Sequence, residues 1–218
     1  MQRAYRDDEL EIVGPTTAEE YFAEARRASD KSRDARDARK AELIDGVLIL
    51  FPSPLDVHER LYVFLLRLIG EYAERRDLGE VRGSRSAVKL AENQIYQPDV
   101  LFVSRDRLSL FERQGIFGPP DLVIEILSRS TAGYDRGAKL RTYERAGVRE
   151  VWLVDPAGPQ GTEILQRQGL RLQPVTPGPE GPIDSIALPG FRLHLDWLWP
   201  EGRFIPVRQA IDSMPDIP

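Results

Sequence analysis

The sequence predicts an α/β fold around a central mixed sheet, and three features carry that expectation. Val100-Leu-Phe-Val103 and Leu122-Val-Ile-Glu-Ile-Leu127 are continuous apolar runs, the pattern of strands covered on both faces. Between Val57 and about Arg76, apolar residues at 61, 64, 65, 68, 69 and 72 fall at helical spacing. From 57 to 155 the elements follow in the order helix, three strands, helix, strand.

Residues 1–14 show no strong period and read as a loose lead-in. The domain is therefore placed at 16–199, after a lead-in of 1–15 and before a Pro-rich tail of 200–218 expected to be peripheral. Thr16 followed by Glu19 reads as a capping box opening a helix to about Ala28. Residues 29–40 alternate in charge without a large apolar residue, and their aspartates nearly cancel the basic residues. They read as a solvated loop or helical extension.

Two short apolar runs flank Asp45-Gly46, a hairpin signal within Leu43–Leu50. Pro52 and Pro54 break the strand, and Asp56 is placed to cap the following helix. Strands are expected at about 81–90, 96–103 and 121–127. A helix from Asp135 to Ala146 should close at Gly147. Val151-Trp-Leu-Val154 reads as a buried strand closed by Asp155-Pro156. Short strands follow near 162–166 and 170–173, then a Pro/Gly-rich loop at 174–182 and an alternating, half-buried strand at Phe191–Leu195. No internal repeat or Gly-rich phosphate loop is present.

At 218 residues the chain suits one domain with appended segments, and can bury a core without staples. It has no cysteine, which excludes disulfides, thiolate metal sites and cysteine nucleophiles. With only His58 and His194, histidine-rich metal sites are excluded too. Metal chemistry here must use hard oxygen ligands, which points to magnesium or manganese. The polar first residues lack an export segment, and no run approaches the roughly twenty apolar residues of a membrane span. A cytoplasmic protein without membrane contact is the expectation. The net charge of −5 argues against a non-specific coat on nucleic acid, but leaves room for a nuclease with a local basic patch.

Glu125 lies inside an apolar strand, where an unpaired carboxylate costs several kcal/mol. A strand end in solvent or a buried salt bridge would explain it; so would a cation shared with Asp99, just before the neighbouring apolar strand. Lys139 shares a helical face with Tyr143 and Ala146, on the stripe that should meet the sheet. Residue types alone leave open whether Lys139 is a structural ion-pair partner or a catalytic group.

Pro98-Asp99, then Glu125-Ile-Leu127, then Lys139 with Tyr143, resembles the PD-(D/E)XK nuclease superfamily. More narrowly, the chain is similar to the bacterial Uma-type restriction endonuclease family. The carrying segments are Glu42-Leu-Ile-Asp-Gly46, Pro52-Ser-Pro54 with His58, and Gln97-Pro-Asp-Val100. Val123-Ile-Glu-Ile-Leu-Ser128 continues the likeness through Asp135, Lys139 and Tyr143 to Ala146-Gly-Val148 and Trp152-Leu-Val-Asp-Pro156. Leu188-Pro-Gly-Phe191 also fits, so the likeness spans about 16–199. Leu127 stands where the superfamily has its lysine, and Arg129 where the family commonly has proline. The charged insert at 29–40 is also longer than the family leads one to expect.

The resemblance implies a restriction-endonuclease-like core (helix, three strands, helix, strand) with extra N- and C-terminal strands. It also implies a lysine supplied from the following helix by Lys139. Asp99 and Glu125 would hold magnesium or manganese, with a main-chain carbonyl near Ile126 as a further donor. Lys139 would position water or stabilise phosphate charge. Glu42 is a candidate third acid, or a solvated residue where its strand begins. Tyr143 could bond Lys139 or phosphate, or simply pack. His58, Arg129 and Arg136 are candidate substrate contacts, and Arg82, Arg85, Lys89, Arg141, Arg145 and Arg149 could extend a basic track or merely form solvated faces. His194 reads as a surface strand residue, and Ser128, Ser130 and Thr131 as loop-bonding hydroxyls that could also touch phosphate. The expected activity is metal-dependent phosphodiester hydrolysis, most naturally of DNA, with homodimer formation common among such families. Two rivals stay open: an idle binding module on a nuclease fold, and a hydrolase of a small phosphoester.

Overall fold

The computed structural model describes residues 11–31, 40–177 and 181–215. Its elements run β1 (Glu11–Pro15), α1 (Ala18–Lys31), β2 (Ala41–Ile44), β3 (Val47–Leu50), α2 (Asp56–Arg75), β4 (Gly79–Gly83), β5 (Val88–Ala91) and β6 (Gln94–Tyr96). Next come β7 (Val100–Ser104), β8 (Phe111–Glu112), β9 (Gly115–Phe117) and β10 (Leu122–Ile126). One continuous helix follows, made of α3 (Ala132–Tyr134), a π-helical turn (Asp135–Lys139) and α4 (Leu140–Ala146). The chain then forms β11 (Glu150–Val154), β12 (Glu163–Gln168), β13 (Arg171–Val175), β14 (Ile183–Asp184), β15 (Arg192–Leu193) and α5 (Val207–Asp212).

The central sheet is mixed, with six strands in the order β13-β12-β11-β10-β7-β4. β10 and β11 run parallel, and the other neighbours are antiparallel. The parallel pair needs a crossover, which the helix Ala132–Ala146 supplies. It stops at Gly147, whose φ of 98° only a residue without Cβ adopts freely. Helix α2 lays Leu61, Phe64, Leu65, Leu68, Ile69 and Tyr72 on the sheet face formed by Val100, Phe102, Leu122, Ile124, Trp152 and Val154. Full burial of such side chains contributes about 1.5–3 kcal/mol each. The opposite face carries Val123, Leu127, Val151 and Leu153 against Tyr143 and Val148. Alternation along β10 thus turns Glu125 to the crossover-helix side. The core order helix, three strands, helix, strand expected from the sequence is α2, β4, β7, β10, crossover helix, β11.

A second sheet has seven strands in the order β1-β3-β2-β6-β5-β9-β8. Asp45 and Gly46, with φ of 50° and 77°, make the tight turn between β2 and β3 that their sequence predicts. The strand expected at 81–90 is two strands, β4 and β5, in different sheets, because Ser84-Arg85 turns the chain between them. The strand expected at 96–103 also divides. Pro98 has no N–H for a ladder, so Gln97–Asp99 cross from β6 in one sheet to β7 in the other. The hairpin β8–β9 lacks a long apolar run and had no sequence signal.

Other boundaries differ for physical reasons. Residues 11–15, expected in the loose lead-in, are an edge strand paired with β3; its exposed Ile12 and Val13 give no inward period. Residues 1–10 of the lead-in, 32–39 of the charged insert and 178–180 of the Pro/Gly loop lie outside the described residues. The capping box is Thr17 with Glu20, one residue later than expected: Glu20 N donates to Thr17 Oγ1 (3.2 Å) and Thr17 N to Glu20 Oε2 (2.9 Å). Asp56 is inside the first turn of α2, and Leu55 precedes it without a side-chain cap. The strand at Phe191–Leu195 is reduced to Arg192–Leu193, after which a 3-10 turn begins at Leu195. His194 lies just before that turn, its ring 4.6 Å from that of Trp197. The C-terminal tail is not peripheral: Val207, Ala210, Ile211 and Met214 are buried in the core against α2.

Candidate active site

The crossing from β6 to β7 brings Asp99 to the place where β10 presents Glu125, at the junction of the two sheets. Asp99 is fixed there by the main chain, since Ile126 N donates to its Oδ2 (2.8 Å). The crossover helix delivers Lys139 from above the same strand. Its Nζ is 2.8 Å from Glu125 Oε1, 2.9 Å from Glu42 Oε1 and 3.8 Å from Asp135 Oδ1. The π-helical turn spans Asp135 to Lys139 and buries both its ends. Tyr143, one turn on, donates its hydroxyl to Glu125 Oε1 (2.5 Å).

Glu42 comes from β2 of the other sheet and is fully buried. Its Oε1 accepts from Gln97 N (2.9 Å) as well as from Lys139, while its Oε2 is buried without a hydrogen-bond partner. The solvated alternative for Glu42 is thereby corrected. His58, near the start of α2, places Nε2 3.3 Å from Asp99 Oδ2. So Asp99, Glu125, Lys139, Glu42, Tyr143 and His58 converge.

The basic candidates do not converge. Arg136 is engaged by Glu163 (Nε to Oε1, 2.9 Å) and by the Gly161 carbonyl. Arg129 is exposed at the end of the β10 loop. Arg149 lies near the opposite end of the sheet, 3.6 Å from Asp121, and Arg82 and Lys89 pair with Glu80 and Glu92. The arginines from 129 to 149 therefore form no single track. Ser128 and Thr131 bond each other and the loop backbone, as their types suggest.

Sequence reasoning missed Lys40. It ends the charged stretch, yet its Nζ lies 3.0 Å from Asp99 Oδ1 and 3.9 Å from Glu125 Oε2. No local period signals this, because its partners are 59 and 85 residues away. Gln97 was also missed as a brace: its side-chain carbonyl accepts from Ala41 N (3.3 Å) while its backbone holds Glu42.

The electrostatics follow from burial against pairing. Burial pushes Glu125 up, to about 7, against the pull of Lys139 and Lys40. Burial acts the same way on Asp99, but Lys40, His58 and the Ile126 N–H together hold it well below the usual carboxylate range. For Lys139, burial favours the neutral amine, yet Glu125 and Glu42 raise its pKa well above the ordinary lysine value. It is an ammonium at neutral pH. For His58, burial opposes charge, and its bond to Asp99 raises it nonetheless.

Among the described residues no three carboxylate or imidazole groups form a ready cation cage. The donor chemistry still fits a hard divalent cation. Two carboxylates, one just before β7 and one on the adjacent β10, already converge on one positive charge, the Lys40 ammonium, and Glu42 Oε2 is an unpartnered buried oxygen nearby. Asp99 and Glu125 would be the residues to hold it.

The family model of Uma2, described as "Putative restriction endonuclease", matches residues 18–196. The chain belongs to this family. It is 30% identical over 142 residues to an uncharacterized protein of Synechocystis sp., a match covering 64% of this chain and 74% of that one. Among solved structures it is similar to the crystal structure of "a putative nuclease belonging to DUF820" from Anabaena variabilis, with a TM-score of 0.60 and 18% identity. That likeness covers 72% of this chain and 88% of the other, and it supports the fold. Membership of the Uma2 family places the chain in a family described as restriction-endonuclease-like. No helix among the described residues is long and apolar enough to cross a membrane.

Proposed function

We propose that this Uma2-family chain is a magnesium- or manganese-dependent nuclease that hydrolyses phosphodiester bonds in DNA. The observation that carries the reading is the meeting of Asp99, Glu125 and Lys139 from the β6–β7 crossing, β10 and the crossover helix, with Lys139 2.8 Å from Glu125. A divalent ion there would activate water and neutralise charge developing on the phosphate.

The chain's own residues then have distinct tasks. Asp99 and Glu125 would hold the cation. Lys139 is too strongly held as an ammonium to take a proton near neutral pH, so it acts as donor to the attacking water or a phosphate oxygen. Glu42 fixes Lys139 from the far side. Tyr143 orients Glu125 through its hydroxyl. His58 steadies Asp99, and Arg129, exposed after β10, is the candidate contact to a phosphate backbone.

Plasmid and oligonucleotide cleavage tests this directly. Purified protein should nick DNA with magnesium or manganese and work poorly with calcium, whose looser coordination misplaces the nucleophilic water. Lys139→Ala at saturating manganese should retain metal binding and lose cleavage; unchanged cleavage would point to a contaminant or another site. The internal neutralisation of the carboxylates by Lys40 and Lys139 favours one rival, an idle binding module. Absence of manganese binding by calorimetry would select that rival. Bound metal with no cleavage of duplex or single strands would select a small phosphoester substrate.

A further inference from the structure

The cluster holds two lysines, and they are placed differently. Lys139 has a side chain only 1% exposed and faces three carboxylates, so withdrawing it would strand buried charge. Lys40 has a side chain 21% exposed and touches two, Asp99 Oδ1 at 3.0 Å and Glu125 Oε2 at 3.9 Å. Its main chain is pinned: the Lys40 carbonyl accepts from Phe51 N (2.8 Å), and the next residue is held by Gln97 and by the Tyr21 hydroxyl. Only the four-carbon stem, beside the Phe51 ring (Nζ 5.9 Å from its centroid), is free to swing.

The Lys40 ammonium thus occupies the position between the two carboxylates that a shared divalent ion would need. Two cations cannot hold that space together, since like charges at contact distance repel strongly away from bulk water. We infer that Lys40 is a tethered counter-ion of the Asp99–Glu125 pair, displaced towards solvent when a divalent cation binds, and that it thereby sets the protein's affinity for that cation. This rests on the reading of Asp99 and Glu125 as the cation's ligands. The device has two consequences. The carboxylates stay together in the metal-free protein, because one positive charge always lies between them. Metal binding also becomes an exchange of cations, weaker than binding to a bare pair, and it leaves a free ammonium at the site.

The experiment is manganese titration by calorimetry into the full chain, freed of metal by a chelator, as wild type, Lys40→Gln and Lys40→Arg. Lys40→Gln should bind manganese about tenfold more tightly, having no ammonium to expel, while Lys40→Arg should bind like wild type or more weakly. A second measurement needs no variant. Acetylation of wild-type lysines by an N-hydroxysuccinimide ester, read by peptide mass spectrometry, should speed up several-fold at Lys40 on adding manganese and leave Lys139 protected. Wild-type binding with Lys40→Gln unchanged or weaker overturns the role of Lys40 and leaves the metal site standing. So does manganese binding without faster labelling of Lys40. No manganese binding by wild type or Lys40→Gln overturns both the exchange and the metal-dependent reading.

Discussion

Glu125 concentrates the tension of the site in one side chain. Burial drives its pKa to about 7 in the metal-free protein, above the ordinary value of 4.5. Between those two values the folded chain keeps a proton that the unfolded chain has released, so this group makes stability fall as pH rises, and the fall levels off above about 7. Glu125→Gln should flatten that decline. In chelator, its urea midpoint should match or exceed wild type at pH 7.5 and change less between pH 5 and 7.5; parallel declines in both proteins would place the effect elsewhere. Asp99 has the opposite sign, being held low by Lys40, His58 and the Ile126 N–H despite burial, so its contribution is lost only as pH falls below the ordinary aspartate range. Lys139→Ala leaves Glu42 and Glu125 without their shared cation, and should cost the metal-free protein about 3 kcal/mol. Saturating manganese should restore much of that, because ligand binding to the folded state alone raises stability. Thermal melts with and without manganese check both halves of this prediction.

Elements bring these residues together, and the sequence disclosed them unevenly. Glu125 and Lys139 were legible because each breaks a pattern: a carboxylate within an apolar run, a lysine on the inward stripe of a helix. Lys40 breaks no pattern, being one more charge at the end of a charged stretch, and its role depends on two sheets meeting. The edge strand β1 was equally silent, since backbone pairing with β3 holds it and its apolar side chains face outward. Pro98 was visible, but a sequence does not say that the chain changes sheets there. Helix α1 shows how a small misreading matters: either threonine fits the capping pattern, and only the turn geometry selects Thr17 over Thr16. Thr17→Ala should therefore cost about 1 kcal/mol in urea unfolding, and more than Thr16→Ala, which leaves the Thr17–Glu20 exchange in place. Equal costs for the two substitutions would show that the box does not govern the start of the helix.

At the scale of the whole molecule, α2 connects the site to the C-terminal segment. Its first turn carries His58, 3.3 Å from Asp99, and its inner face lies on the central sheet. The C-terminal segment covers further α2 surface. Phe204 stacks on Phe64 with ring centroids 4.6 Å apart, Arg75 meets Asp212 at 3.1 Å, and Val207, Ala210, Ile211 and Met214 are buried alongside. Removing residues 200–218 would expose those apolar surfaces at about 25 cal/mol for each Å² uncovered, a large fraction of the few kcal/mol by which a domain is stable. The truncated chain should be insoluble or melt far below wild type, although it keeps every candidate site residue. A milder variant separates lost packing from altered solubility. Ile211→Ala should cost about 2–4 kcal/mol, since the side chain is buried and α2 can only partly collapse into the space. Leu170→Ala is the matched control: that leucine is 87% exposed at the β12–β13 turn, and its loss should stay within about 0.5 kcal/mol of wild type. Urea unfolding of the two variants decides the matter. A tail that merely rests on the surface would make them indistinguishable; a tail that completes the core makes only Ile211→Ala fall, with manganese affinity retained while the protein is folded.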